Sequence, residues 1–215
     1  MRSLLIKEMK LAASPLSYLF LAFAVMTLIP GYPILVGCFF VCLGIFQSFQ
    51  SGRENNDILY TVLLPVEKAD AVRAKYLFVC AIELEAWLIM AGLTALRVIL
   101  LADATVYVQN PMMNANPVYL GWAALVFGLF NAVFLRGFFR TAYKFAKPFV
   151  TFIVLSMLLV MAAEVLHHIP GLTFLNGTDR MPLQLLLMAA GLLVFAGLTA
   201  LSLRRAIARF EVIDL

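Results

Sequence analysis

Apolar residues run in long blocks through this chain, and the polar breaks between the blocks alternate between two kinds. One kind is basic: Arg2, Lys7 and Lys10; then Arg53, Lys68, Arg73 and Lys75; then Arg136, Arg140, Lys144 and Lys147; and last Arg204, Arg205 and Arg209. The other kind, at 30–33, 102–117 and 167–182, is nearly free of positive charge. Of the 16 basic residues only Arg97 and Arg180 fall outside the basic breaks. Lys and Arg are retained on the cytoplasmic side of a membrane, so the basic breaks mark one face and the other breaks the opposite face. About 20 apolar residues cross about 30 Å of hydrocarbon. The pattern therefore predicts an all-α integral membrane protein with six transmembrane helices, near 15–29, 34–49, 76–101, 118–135, 148–166 and 183–203, and both ends in the cytoplasm. Residues 2–13 mix Lys7, Glu8 and Lys10 with Leu4, Leu5 and Met9 and predict an amphipathic helix lying in the membrane interface. Ser14-Pro15 then turns the chain into the bilayer.

Composition changes this picture little. Apolar residues make up 64% of the chain and charged residues 13%, about half the charged share of an ordinary soluble domain. The net charge of +4 belongs to the cytoplasmic breaks rather than to one polar surface, which argues against nucleic acid as a partner. Cys38, Cys42 and Cys80 are odd in number and lack the spacing of a zinc site, so they are expected to act as small apolar residues. No short apolar core followed by a cleavage site marks a signal peptide. No separate soluble domain stands out, and residues 1–215 are expected to form one transmembrane domain.

The richest polar stretch is 51–75, SGRENNDILYTVLLPVEKADAVRAK, inside the longer loop 50–75. Asn55, Asn56 and Asp57 are placed to cap a short helix. Ile58, Leu59, Val62 and Leu63 are expected on one face of it. Pro65 ends the turn, and 66–75 predicts a second helix running into the third span. A short amphipathic helix held away from the bilayer suits a groove on another protein.

The string NNDILYTVLLPVEKADAVRAKY resembles the cytoplasmic loop of small bacterial type-2 permeases of ATP-binding-cassette (ABC) exporters. In that family Asn-Asn-Asp is followed by a pair such as Tyr-Thr and by Leu-Pro-Val. The layout is also similar, from the basic amphipathic start to the tail RRAIARFE. The resemblance implies the membrane-spanning subunit of an ATP-driven exporter in a bacterial cell membrane, paired with a second permease chain as a homodimer or related heterodimer. Its loop would hold a coupling helix docked on a separate ABC ATPase subunit. Arg53, Asp57, Tyr60, Thr61, Leu63, Leu64 and Pro65 would form or shape that contact, with Leu63 and Leu64 as anchors and Arg53 and Asp57 at the rim. Cargo would be hydrophobic or amphipathic: a peptide, a lipid-like molecule or a drug. The chain lacks a GxxxxGK[ST] phosphate loop, so ATP and Mg are expected on the partner and no cofactor in this chain.

Glu83 and Glu85 fall in the inner third of the third span, where a charge costs about 2.5–3.5 kcal/mol on insertion scales. Two positions apart on a helix, they point to different faces. They are candidates for a substrate path, or alternatively for pairing with nearby basic residues. Arg97 is expected to reach outward or to pair with Asp103. Glu164, His167 and His168 gather at the outer end of the fifth span, too few for a structural zinc site. Because the carboxylates lie near one face and the histidines near the other, an intramembrane enzyme is disfavoured. A motor-independent scaffold or immunity-type protein is the remaining alternative. The phenylalanines, Phe39, Phe40, Phe46 and Phe49 among them, are expected mainly to pack.

Overall fold

The computed structural model describes residues 2–141, 144–178 and 180–213, and among these the secondary structure is helical, without strands. Helix α1 (Arg2–Lys7) continues as a wider π turn over Glu8–Ala12. The chain then bends by 90° into α2 (Pro15–Leu19), which tightens into a 3₁₀ helix over Phe20–Leu28. Pro15 opens α2 at a position that needs no N–H, and the Ser14 hydroxyl accepts the Leu16 N–H at 3.3 Å. The 3₁₀ rise of about 2 Å per residue lets these 14 residues reach about 25 Å.

Helix α3 (Val36–Glu54) returns alongside, and its glycines set the spacing. A Cβ on Gly37 would meet the Phe23 carbonyl oxygen at 2.7 Å, and one on Gly44 would meet Phe20 Cβ at 2.6 Å. Ser17 donates to the Gly44 carbonyl at 2.7 Å and shares a 2.6 Å bond with Ser48, which clasps the two helices.

The loop helix α4 (Asp57–Leu63) leads to α5 (Lys68–Leu100), in which the basic loop helix and the third apolar block form one continuous rod of 33 residues. The short outer helix α6 (Thr105–Val108) is followed by α7 (Pro117–Phe130), a π turn at Asn131–Leu135 and α8 (Arg136–Phe139). Helices α9 (Ala146–Leu166) and α10 (Met181–Phe210) complete the bundle. Helix α7 is the centre: its Gly121 lies against Gly191 of α10 so closely that a Cβ on Gly191 would stand 2.5 Å from the Gly121 carbonyl oxygen.

Among the described residues, four helices are long and apolar enough to cross a membrane: Lys68–Leu100, Pro117–Phe139, Ala146–Leu166 and Met181–Phe210. The bent pair Arg2–Ala12 and Pro15–Leu28 makes five when taken as one span. Helix α3 falls short of that test because its last turns carry Gln47, Ser48, Gln50, Ser51, Arg53 and Glu54, although its apolar half is buried among its neighbours. The phenylalanines fill the core, Phe46 stacking on Phe149 at 3.8 Å between centroids and Phe49 meeting Phe138 edge-on at 4.8 Å.

Polar groups tie down the loops at the opposite end from α4. Asn116 caps α7 by accepting the Tyr119 N–H at 3.0 Å and donates to the Leu175 carbonyl at 2.6 Å. Asn176 accepts the Asn114 N–H at 2.6 Å, and Gln184 donates to the Phe174 and Gly177 carbonyls at 2.6 and 2.8 Å. Arg97 corrects the expectation for it. It is buried, with a 3.4 Å bond to the Ala115 carbonyl and its guanidinium 5.3 Å from the Tyr107 ring centroid, because the folded outer loop closes over it. Glu164 accepts the Met113 N–H at 2.9 Å, which makes it a loop tether. All three cysteines are free thiols, Cys38 and Cys42 buried and Cys80 half-buried.

Candidate functional site

Besides the tethered outer loops, polar chemistry gathers at the foot of the bundle around α4 and in the interior around Glu83.

At the foot, four charged side chains close a ring. Lys7 Nζ lies 2.8 Å from Glu8 Oε1 and 2.5 Å from Asp57 Oδ1. Lys75 Nζ lies 2.7 Å from both Glu8 Oε2 and Asp57 Oδ2. Each carboxylate thus gives one oxygen to each lysine, and the four formal charges cancel. The Thr61 hydroxyl accepts from Lys7 at 2.7 Å and donates to the Asp57 carbonyl at 2.7 Å. Glu8, Lys75 and Thr61 are buried. The ring joins three elements distant in sequence: the N-terminal helix, α4 and the foot of α5. Burial pushes the Asp57 carboxyl up, but Lys75 and Lys7 pull it down further, so it titrates below the ordinary carboxylate value.

Local sequence explains how α4 reaches this position, in a way that differs from the expected cap. Asn56 takes the left-handed conformation (φ 52°), a region Asn tolerates, and its side chain makes no capping bond. The Asp57 carboxylate is diverted to the lysines. Helix α4 then divides its residues by side. Ile58 and Val62 pack on the core, whereas Leu63 is 74% exposed. Leu63 therefore leaves the face expected for it, since five positions of helix rotate it about 140° from Ile58. Tyr60 (65% exposed), Leu64 (51%) and Pro65 are exposed beside it. Arg53 stands at the edge, its guanidinium 5.0 Å from the Phe145 ring centroid. Of the seven loop residues singled out in the sequence, Tyr60, Leu63, Leu64 and Pro65 thus form an outward apolar edge, with Arg53 exposed beside it. Asp57 and Thr61 point inward to the ring. Sequence reasoning missed Glu8 and Lys75 as members of this site, since nothing in their spacing links positions 67 residues apart.

In the interior, Glu83 and Glu85 diverge as their spacing requires. Glu85 lies on the exposed side of α5, and Glu83 is 1% exposed. The Asn131 amide donates to Glu83 Oε2 at 2.9 Å and to the Thr199 hydroxyl at 3.0 Å. Ser202 donates to the Asn131 carbonyl and shares a 2.7 Å bond with the Tyr76 hydroxyl. Asn131 opens the π turn between α7 and α8, so this polar strand runs through a backbone irregularity. At the far end, the ring centroids of His167 and His168 lie 4.1 Å apart. No group of three metal-ligating side chains forms among the described residues.

Residues 3–211 match the family described as ABC-2 family transporter protein. The chain belongs to the ABC-2 transporter family. This agrees with the resemblance of the loop at 55–76 and extends it over nearly the whole chain. The ABC-2 protein is accordingly a membrane transport component, an ABC permease, and its family implies association with an ABC ATPase subunit. No match was found among curated proteins or solved structures.

Proposed function

We propose that this permease is the membrane-spanning subunit of an ATP-driven exporter and that the outward edge of α4 is its docking contact with a separate ABC ATPase. The observation that carries this reading is the two-sidedness of α4. Tyr60, Leu63 and Leu64 are exposed on one side, and Asp57 and Thr61 are locked into the ion ring on the other. An apolar edge on a short helix at a basic loop suits a cleft in another protein. The ring makes that edge mechanically useful, because a push on α4 reaches α1 and the foot of α5 through short charge-assisted bonds. Helix α5 then runs without a break from Lys75 to Glu83, about 12 Å further along.

In this reading all six apolar blocks cross a bacterial cell membrane, α3 included, as one transmembrane domain spanning 1–215. The basic breaks and both ends face the cytoplasm. The 90° bend between α1 and α2 supports an α1 that lies along the interface, in contact with lipid. Two permease chains pair around one path for a hydrophobic or amphipathic cargo. ATP and Mg act on the partner subunit. Glu83 and Glu85 contribute to the path from different faces of α5.

The test is co-purification of the tagged chain from its native membrane beside a Leu63→Asp, Leu64→Asp variant. The expected result is an ABC ATPase recovered in about equal amount with the native chain and lost with the variant, while the variant remains in the membrane. Recovery of the ATPase with both forms would overturn the assignment of α4. Its absence from both would favour the motor-independent scaffold.

A further inference from the structure

The hairpin between α8 and α9 gathers positive charge that nothing beside it cancels. Residues 104–163 carry Arg136, Arg140, Lys144 and Lys147 and no Asp or Glu. Among the described residues, Arg140, Lys144 and Lys147 enter no ion pair. All three are exposed, and all three line one open cleft of about 380 Å³, within the range of about 300–1,000 Å³ for ligand sites. Gly137 and Pro148 also line it, and a Cβ on Gly137 would stand 2.6 Å from Pro148 Cβ, so the two helices meet there. Like charges turned to one space repel, and an anion seated among them removes that cost. The hydroxyls sharpen the fit. Thr141 accepts the Lys144 N–H at 3.1 Å, which leaves its own hydrogen to give, whereas Thr151 donates to the Lys147 carbonyl at 2.9 Å. The cleft thus offers a guanidinium fork, two ammonium groups and a hydroxyl hydrogen, a set of donors that suits phosphate oxygens. Polar and apolar atoms share its wall, and the apolar part continues along α9. Leu155 and Leu158 follow Thr151 at four and seven positions on the same side of the helix, and both are exposed. A free phosphate would use the cations alone; a phospholipid would use the cations with its head and this track with a chain.

We propose that the α8–α9 hairpin holds the phosphodiester head group of an anionic phospholipid. Arg140, Lys144 and Lys147 are its cations, Thr141 is a hydrogen-bond donor, and the Leu155 and Leu158 side of α9 seats an acyl chain. Basic pockets between spans at the cytoplasmic face take head groups of this kind. Head-group depth for the hairpin rests on the reading of the basic breaks as cytoplasmic; the binding itself needs no motor.

The probe is dioleoylphosphatidylglycerol, titrated into the full chain in dodecyl maltoside and counted by native mass spectrometry, beside dioleoylphosphatidylcholine. Saturable binding of phosphatidylglycerol is expected, at least tenfold tighter than that of phosphatidylcholine. Lys144→Gln with Lys147→Gln should weaken it at least tenfold. Arg204→Gln with Arg205→Gln removes the same charge from exposed positions on α10 and should change it less than twofold. Thr151→Trp fills the cleft from an exposed position and keeps every cation. It should weaken binding as well, and it decides the matter if the double lysine variant does not fold. Equal loss in the two double variants would mean a general attraction to positive charge and overturns the site, as does full binding by Thr151→Trp. Displacement of the lipid by millimolar glycerol 3-phosphate overturns the lipid and gives the cleft to a soluble phosphate. Absence of saturable phosphatidylglycerol binding overturns the proposal and leaves the cations to an acidic surface of a protein partner. Because the measurement uses detergent and no ATPase, its failure leaves the topology and the docking of α4 standing, and loss of ATPase recovery leaves this site standing.

Discussion

Lys7 and Lys75 each hold both carboxylates of the ring, and Lys75, the more buried of the two, is the residue on which the foot of the bundle most depends. Removing one partner from a buried ion group strands the others and typically costs about 3–5 kcal/mol. Lys75→Met should therefore leave Glu8 and Asp57 competing for Lys7 and lower thermal stability in mild detergent by that order. Lys10→Met, at an exposed position of the N-terminal helix, should change it little. The dependence on pH has a definite sign. The folded Asp57 titrates below its usual value, so its contribution is complete above about pH 4, the ordinary aspartate value, and is lost as pH falls through the lower folded value. The stability gap between the native chain and Asp57→Asn should be constant from pH 7 to 5 and close below pH 4 in thermal unfolding. Single residues of this kind were the least legible part of the sequence. Asp57 stood out in its motif, but its partners could not be read, because an ion pair between Glu8 and Lys75 depends on how α1 bends back over α5. Leu63, named by resemblance as a docking anchor, was placed by pattern on one face with Ile58 and lies instead on the exposed side, since a helix of two turns offers too few residues to fix a stripe.

The helices themselves were largely written in the apolar blocks, and the structure extends several of them by one to three turns into the polar breaks. The 3₁₀ stretch of Phe20–Leu28 and the π turns at Glu8–Ala12 and Asn131–Leu135 were not legible, because they arise from how neighbours press on one another and not from local propensity. Gly37 and Gly44 are legible in sequence as a pair seven apart on one helix, and they receive Phe23 and Phe20 of the 3₁₀ stretch. The tighter contact, Gly191 against Gly121, is not legible, since the two lie on different spans. The closest glycine contact should be the most sensitive. Gly191→Val should sharply lower the yield of folded protein by size-exclusion chromatography, as a Cβ there has no room. Gly197→Ala in the same helix meets nothing within 4 Å and should be neutral or slightly stabilising, by up to about 1 kcal/mol, through helix propensity.

At the scale of the whole molecule, the charged breaks and the folded outer loops divide the protein into two unlike ends. One end carries the basic clusters, the ion ring and the exposed edge of α4; the other is knitted by Asn110, Asn114, Asn116, Asn176 and Gln184. In the proposed reading, motion enters at α4 and passes through the ion ring to α5, beneath an outer end pinned by its amide side chains. The alternation of charge made the two ends legible in sequence, whereas the tethering of the outer loops came from long-range pairing of amide side chains. Membrane topology has its own check. A cysteine at Asp103 should react with an impermeant maleimide in intact cells, and one at Glu54 only after the membrane is opened.

The central claim is that α4 meets the motor through its outer edge and holds the permease through its inner one. A photo-crosslinking amino acid placed in turn at Leu63 and at Ile58, in cells carrying the native partner, tests it most directly. Leu63 should crosslink to an ABC ATPase subunit, and Ile58 should give only crosslinks within the permease. Equal capture of the ATPase from both positions, or capture from Ile58 alone, would contradict the account.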